Sequence, residues 1–483
     1  MPTRRRLTPR QIRLTRILAA TCWWGLVAYF ARGILKTRDA QAEHLIATAL
    51  LAYLAAWCPV MVLAKWSPAG KLGRFAACSA SIGAAFALVE APAAWRSVDY
   101  REVFHTPTPP WRRSGNLPDP DLLYARRPNQ RLRLWFQGSD RHGLRDAPAA
   151  PAYACDTTLD ANGFRNPAGL DAARVVLVGD SFVEGLQVDD GDLISARLAD
   201  LVAAPVANLG RTGYGPRQEL AVLERYSAGF GPRTCVWFFY EGNDLQDLAA
   251  YEADRERVRA LRPESPRRAW YGRSFVRNAA GWLVRSNGGD ATVPARSRAG
   301  TFRAASGATT DILFSCGVHE GAAEGVADRA SPEAMERLSR VFAEAAASCR
   351  ARGVEMVVAF VPTKFRVYRD LCRFEADSPC PEWPVDDMPG AVAKAVAKAS
   401  PAIGFVDLTA RLRDRAEAGE LVYLADDTHW SAAGHRAAAL AVAECLDDRE
   451  RMRNATAGLT SEPSPGPGPG WPSGSTGRTR SGP

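Results

Sequence analysis

Gly179-Asp180-Ser181-Phe182 follows the apolar run Val175 to Val178 directly. Such a run reads as a short strand, which would leave the Ser181 hydroxyl at the carboxyl edge of a parallel sheet, where open α/β folds bind ligands. A nucleophile is useful there, although the tetrapeptide alone is equally an ordinary strand-to-helix turn with serine as cap. A Gly-x-Ser-x-Gly elbow is excluded because Val183 holds the last position, so the site is not that of an α/β-hydrolase. The glycines of Asn208-Leu209-Gly210-Arg211-Thr212-Gly213-Tyr214-Gly215 would let backbone N–H groups approach a ligand. Their spacing reverses that of a dinucleotide fingerprint. Tyr240-Glu241-Gly242-Asn243-Asp244 closes a third apolar run, and the Asn243 amide is a donor beside the same crevice. Near the C-terminus, Asp426-Asp427-Thr428-His429-Trp430 brings acid and imidazole together. Of the six histidines His429 is the best candidate base: His44 edges an apolar stretch, His105, His142 and His319 lack such a setting, and His435 suits capping or packing in the last helix. Nucleophile, base, orienting acid and oxyanion donors together make an acyl-transfer site.

Those residues must be held by a regular scaffold. Val175–Val178, Val206–Leu209, Val236–Tyr240, Met356–Val361 and Phe405–Leu408 read as strands. Leu193–Val202, Pro332–Arg350, Ala391–Lys398 and Ala432–Cys445 read as helices. The alternation predicts an α/β fold, a three-layer α/β/α parallel sheet. The domain runs from residue 97 to 453, with an irregular, Pro- and Arg-rich, β-containing lead-in to about Asn166 and an Arg-rich, partly helical insertion at about 245–330. Residues 454–483, dominated by Pro, Gly, Ser and Thr, read as a disordered tail.

Residues 1–96 read as a membrane anchor. Six arginines lie within the first 16 residues, and three apolar stretches follow: Ile17–Ala31, Leu45–Ala64 and Phe75 to about Trp95, the last carrying Glu90. Tryptophans near their edges favour membrane spans, and the basic arm stays in the cytoplasm by loop charge. Three spans then deliver the following domain to the extracytoplasmic side, giving a multi-pass protein of the cell inner membrane in contact with the lipid bilayer. The net charge of +8 in 483 residues is otherwise dispersed over the chain, and no groove-reading module appears, so nucleic acid is not an expected partner. Ten cysteines are too dilute for a disulfide scaffold. Cys22, Cys58 and Cys78 are expected as small buried hydrophobes, and Cys372 and Cys380 as a local disulfide if that region is extracytoplasmic. No CxxC pair or His/Cys cluster has ligand spacing, and neither a structural metal nor a cofactor is expected.

Taken in order, Gly179-Asp180-Ser181, Gly213, Gly242-Asn243-Asp244 and Asp426 to His429 resemble the blocks of the SGNH hydrolase superfamily, the GDSL-type esterases. The resemblance covers roughly residues 120–447 and implies a flavodoxin-like sheet. Asn162-Gly163-Phe164-Arg165 and Val361-Pro362-Thr363-Lys364 with Tyr368 are similar to the membrane-anchored branch related to the alginate O-acetylation proteins AlgX and AlgJ. The resemblance implies that Ser181 attacks an ester carbonyl, His429 carries its proton, and Ser181 N–H, Gly213 N–H and the Asn243 amide bind the oxyanion. The general Asp-x-x-His pattern selects Asp426 as the orienting acid. The AlgX-like Asp-x-His-Trp pattern selects Asp427 and is favoured, because Trp430 agrees with it. The implied activity is that of an esterase or O-acetyltransferase acting on acetyl groups of an envelope polysaccharide. The alternative is a noncatalytic polysaccharide-binding or scaffold subunit partnering a membrane-bound O-acyltransferase; the long insertion and three spans suit it, whereas the complete residue set opposes it.

Overall fold

The computed structural model describes residues 41–460 apart from 105, 107, 114, 137, 142–143, 146–152, 262–265, 288–292 and 315–329, together with positions 14 and 21. Five apolar segments form its central sheet: β1 (Val175–Gly179), β2 (Val206–Gly210), β3 (Thr234–Tyr240), β4 (Glu355–Val361) and β5 (Gly404–Asp407). All pair in parallel in the order β5-β4-β3-β1-β2, with Gly179 opposite Gly210 and Tyr240 opposite Val361. Parallel strands are covered on both faces, which is why they read as continuous apolar runs rather than alternating ones. Val176, Val178, Trp237, Phe239, Val358 and Phe360 point into one core layer, and Val175, Leu177, Val236, Phe238, Ala359 and Val361 into the other.

Helices α3 (Pro216–Tyr226), α5 (Pro332–Ala351) and α6 (Met388–Ala399) fill the first layer. Helices α2 (Ile194–Val202), α7 (Thr409–Glu417) and α8 (Ala432–Thr460) fill the second. The predicted elements are present with ends shifted by a few residues, and local chemistry sets some of those ends. Ser331 accepts from Ala334 N and Pro332 occupies the first turn, so α5 starts where the sequence places it. Helix α8 runs past Cys445 and past Asn454, where a tail was expected; Ala455-Thr456-Ala457-Gly458 contains no proline to stop it. The rest of the expected tail lies outside the described residues.

Strand order reverses at β1, with β2 on one side and β3 on the other, so the carboxyl ends of these three strands open on one crevice. The lead-in contributes two antiparallel pairs, Asn116–Asp119 with Leu123–Arg126 and Arg131–Phe136 with Tyr153–Thr158. In the insertion, α4 (Asp244–Arg259) is followed by helices Pro266–Arg273 and Phe275–Asn287. Its last part forms strands Ala299–Arg303 and Thr309–Leu313, which join Cys372–Phe374 in an antiparallel sheet. Cys372 and Cys380 do not form the expected disulfide; Cys380 is buried and its sulfur lies 3.8 Å from the Ser297 carbonyl.

Of the expected spans, Leu45–Ala64 lies in helix Gln41–Leu63 and Phe75–Trp95 in helix Pro68–Ala94. Pro68–Ala94 is long and apolar enough to cross a membrane, and none of its apolar window is buried by the rest of the chain. The uninterrupted apolar part of the other, Ile46–Cys58, is shorter. Cys78 is exposed on this apolar surface rather than buried, and Cys58 is half-buried. The stretch Ile17–Ala31 and the basic arm lie outside the described residues, apart from positions 14 and 21. Glu90, the anomaly in an apolar helix, has a specific partner. Its carboxylate accepts from Ser274 Oγ at 2.8 Å, Phe275 N at 3.1 Å and Val276 N at 2.8 Å, and so caps Phe275–Asn287.

Candidate active site

Ser181 begins a four-residue helix, Ser181–Glu184, immediately after β1. The Asp180 carboxylate caps it by accepting from Phe182 N at 2.9 Å. Gly179 is required by crowding, because a Cβ there would stand 2.6 Å from Val183 Cγ2 and 3.0 Å from Phe238 Cβ. The turn therefore lies flat on the sheet end and presents the serine hydroxyl to the crevice.

His429 Nε2 stands 2.8 Å from Ser181 Oγ, and His429 Nδ1 stands 2.6 Å from Asp427 Oδ1. With Asp427 ionised, Nδ1–H donates to the carboxylate and Nε2 is left to accept from Ser181 Oγ–H. Asp427 Oδ1 also accepts from His429 N at 3.0 Å, and Oδ2 accepts from Ser139 N at 2.9 Å. Burial opposes ionisation of Asp427, but His429 and these donors outweigh it and hold the carboxyl well below its ordinary range. Burial likewise works against a charged His429, yet the Asp427 carboxylate prevails and its pKa is raised. A base must be neutral to accept a proton, so kcat/KM for an ester substrate should fall toward acid pH with an apparent pKa above the 6.5 of ordinary imidazole. The same limb should move to lower pH in Asp427→Asn. A pH–rate profile of both enzymes checks this.

Asp426, the other candidate acid, faces away. It forms an ion pair with Arg141 at 3.2 Å, and its backbone carbonyl accepts from Asp140 N at 3.1 Å. The turn between the two is braced from both ends: Leu424 N donates to His429 O, Tyr423 bridges Trp430, and Ser431 N donates to Val422 O.

The oxyanion candidates sit on the strands flanking β1. Gly213, after β2, has φ +75°, a conformation that favours glycine, and a Cβ there would also meet Tyr124 Oη at 2.9 Å. It is exposed, and among the described residues its N–H has no acceptor. Its loop is fixed by buried Glu184, which accepts from Arg211, Arg126 and Thr212 N at 2.7, 3.0 and 2.8 Å. Burial favours neutral Glu184, but Arg126, Arg211 and Thr212 lower its pKa to about 2, leaving the brace charged. Asn243, after β3, directly precedes α4 without a side-chain capping bond, and its Nδ2 donates to Asp247 Oδ2 at 2.7 Å, leaving a second N–H on the same nitrogen.

Ser139, Asp140 and Gln187 carry no sequence signal of their own, whereas Arg165 and Lys364 belong to motifs already noted. Ser139 and Asp140 come from the lead-in and reach the His429 loop across 288 residues of chain. Gln187 Nε2 lies 3.1 Å from His429 Nδ1. Since Nδ1 carries the proton given to Asp427, that contact is favourable only with the amide turned so that Oε1, otherwise buried without a partner, faces the ring. The loop bearing Gln187 is held by Arg165, which donates to Gly185 O, to Val188 O at 2.7 Å and to Asp190 at 2.7 Å. Lys364 Nζ is fully buried, donates to Asp140 and to Asp427 O at 3.1 Å, and Asp140 accepts from Thr428 Oγ1 at 2.5 Å. His435 accepts from Ile194 N at 3.2 Å, and burial pushes its pKa down to about 3, a packing role as expected. Among the described residues no three His, Cys, Asp or Glu side chains gather as a metal-ligating group.

A site of this geometry can activate a serine hydroxyl for attack on an ester carbonyl. Residues 322–468 match the family model of the SGNH hydrolase-like domain of the acetyltransferase AlgX. No curated protein matches the chain in sequence. Among solved structures, a provisionally assigned SGNH hydrolase from Slackia heliotrinireducens is 16% identical, covering 57% of this chain and 99% of its own at a TM-score of 0.29. A provisionally assigned platelet activating factor protein from Streptococcus pneumonia is 15% identical, covering 58% and 86% at a TM-score of 0.27. Scores this low do not bear on the fold. Over residues 322–468 the chain is thus similar to the SGNH hydrolase-like domain of the AlgX type.

Proposed function

We propose that this protein is a membrane-anchored, extracytoplasmic esterase or O-acetyltransferase acting on acetyl groups of a cell-envelope polysaccharide. Its carrying observation is the unbroken chain of hydrogen bonds from Ser181 Oγ through His429 to Asp427. Ser181 attacks the acetyl carbonyl as His429 Nε2 takes its proton, and the tetrahedral oxyanion is met by N–H groups of Ser181, Gly213 and Asn243. The proton passes to the leaving sugar oxygen, and an acetyl-serine remains. Water resolves it in hydrolysis; an acceptor hydroxyl resolves it in transfer. Incubation with an acetylated polysaccharide should release acetate, and release should stop in Ser181→Ala. Asn243→Ala should lower kcat by about 10² to 10³, the usual loss for one oxyanion donor. Unchanged release in Ser181→Ala would remove the reading.

Anchoring rests on the apolar, uncovered surface of Pro68–Ala94 and on the arginines of the N-terminal arm. We place residues 1–96 as a three-span anchor, 97–453 as the catalytic domain on the far side of the inner membrane, and a membrane-bound O-acyltransferase as the partner that would supply acetyl groups for transfer. Alkaline phosphatase fused after Asp244 should be active in cells. Activity only of a cytoplasmic reporter at that junction would reverse the topology.

A further inference from the structure

The arginines that look dispersed along the chain converge at one place outside the catalytic crevice. A cavity of about 770 Å³ between lead-in and insertion is lined by Arg101, Arg112, Arg113, Arg127, Arg259 and Arg273, and by no acidic side chain among the described residues. Two carboxylates lie close by. Asp99 pairs with Arg101 at 2.6 Å and stands 3.7 Å from Arg273. Asp121 stands 3.6 Å from Arg259 but is already shared with Arg255 at 2.9 Å and Arg225 at 3.5 Å. Arg113 Nε donates to the neutral carbonyl of Thr108 at 3.2 Å, and Arg127 is exposed and makes no ion pair among the described residues. Clustered guanidiniums repel, so a surplus of this kind suits a multiply charged anion, which their planar forks bind bidentately.

The cavity's position narrows the anion. Asp99 caps the short helix Tyr100–Val103 just beyond the end of Pro68–Ala94, and Arg273 precedes Ser274, which donates to Glu90 of that apolar helix. The cationic rim thus stands at the foot of the proposed membrane span. Buried Trp111 and the side chains of Val258 and Leu261 add apolar wall to the cavity, which exceeds the size of a lone phosphate. We propose that this cavity binds the phosphate or diphosphate headgroup of an anionic membrane lipid. The lipid assignment rests on Pro68–Ala94 being a membrane span; the anion site itself does not. Asn116 and Pro118 of the cavity wall belong to a strand paired with Leu123–Arg126. There, Tyr124 Oη donates to Thr212 O at 2.6 Å and Arg126 pairs with Glu184. A bound headgroup would rest on the hairpin that braces the Gly213 loop, fixing the crevice relative to the bilayer.

The test uses the full chain in a neutral detergent. Inorganic diphosphate binding is measured by calorimetry, and lipid retention by native mass spectrometry with phosphatidylglycerol against phosphatidylcholine. Diphosphate should bind in a salt-sensitive manner and displace phosphatidylglycerol, which should be retained in preference to phosphatidylcholine. Arg113→Gln/Arg127→Gln should weaken diphosphate binding by at least about tenfold, while Arg127→Lys should weaken it less, since it keeps the charge and loses only the bidentate fork. Ser181 labelling by a fluorophosphonate should be unchanged in all variants, which shows them folded. Diphosphate binding without lipid preference would overturn the lipid source and leave a free-phosphate site. Binding only of polygalacturonate, a carboxylate polymer, would assign the cavity to polysaccharide instead. Diphosphate binding unaffected by the double substitution, or none at all, would overturn the site. Release of the chain from membranes by alkaline carbonate would count against the anchor alone.

Discussion

Asp427→Asn should lower kcat on p-nitrophenyl acetate by roughly 10⁴-fold, the loss typical of an amide that holds the imidazole in the wrong tautomer. Asp427 Oδ1 receives both the backbone N–H and the ring Nδ1 of His429, so an amide nitrogen presented there would face a donor and force the ring proton to Nε2. Nε2 would then no longer accept from Ser181. Asp426→Asn should cost little catalytically, because Asp426 is engaged with Arg141 and not with the ring. Circular dichroism of both variants separates chemistry from folding. A severe loss confined to the Asp426 variant would reverse the roles of the two acids, and near-normal turnover of both would remove the acid from the mechanism.

The second large effect concerns stability. Lys364 and Asp140 form an ion pair with both side chains almost fully excluded from solvent, and it fastens the 424–428 segment to the lead-in. Removing one partner of a buried pair leaves the other charge uncompensated, at a cost of about 3 to 5 kcal/mol. Lys364→Met and Asp140→Leu should each lower the thermal midpoint by that equivalent. The double variant should lose much less than the sum, because no buried charge is left behind. Additive losses would show that the two groups act independently. Turnover in Lys364→Met should also fall, since Lys364 accepts the task of holding Asp427 O in place.

The strands were legible because parallel strands buried on both faces give unbroken apolar runs, and Val175–Gly179 is buried at every position. Ser181, His429 and Asp427 were legible as chemistry because each stands directly after such a run or before a helix. Two patterns competed for Asp426 and Asp427, and Trp430 favoured Asp427 without explaining it; their directions depend on Arg141 and Ser139, which the lead-in supplies from far away in sequence. Gln187 and Asp140 gave no signal for the same reason: polar residues in loops acquire partners only when the fold closes. The Glu90 cap was hidden too, since a carboxylate in an apolar stretch reads as an interruption until the helix it caps is in place. The Arg cavity draws on five separate stretches of chain, so net charge and local runs could not reveal it.

Catalysis through Ser181 separates this account from one in which the domain only binds polysaccharide, and covalent labelling reads it directly. The folded full-length chain should react with a fluorophosphonate at Ser181, located by peptide mapping, and labelling should disappear in Ser181→Ala and fall sharply in His429→Ala. A folded chain that is not labelled, or one labelled equally in Ser181→Ala, would contradict it.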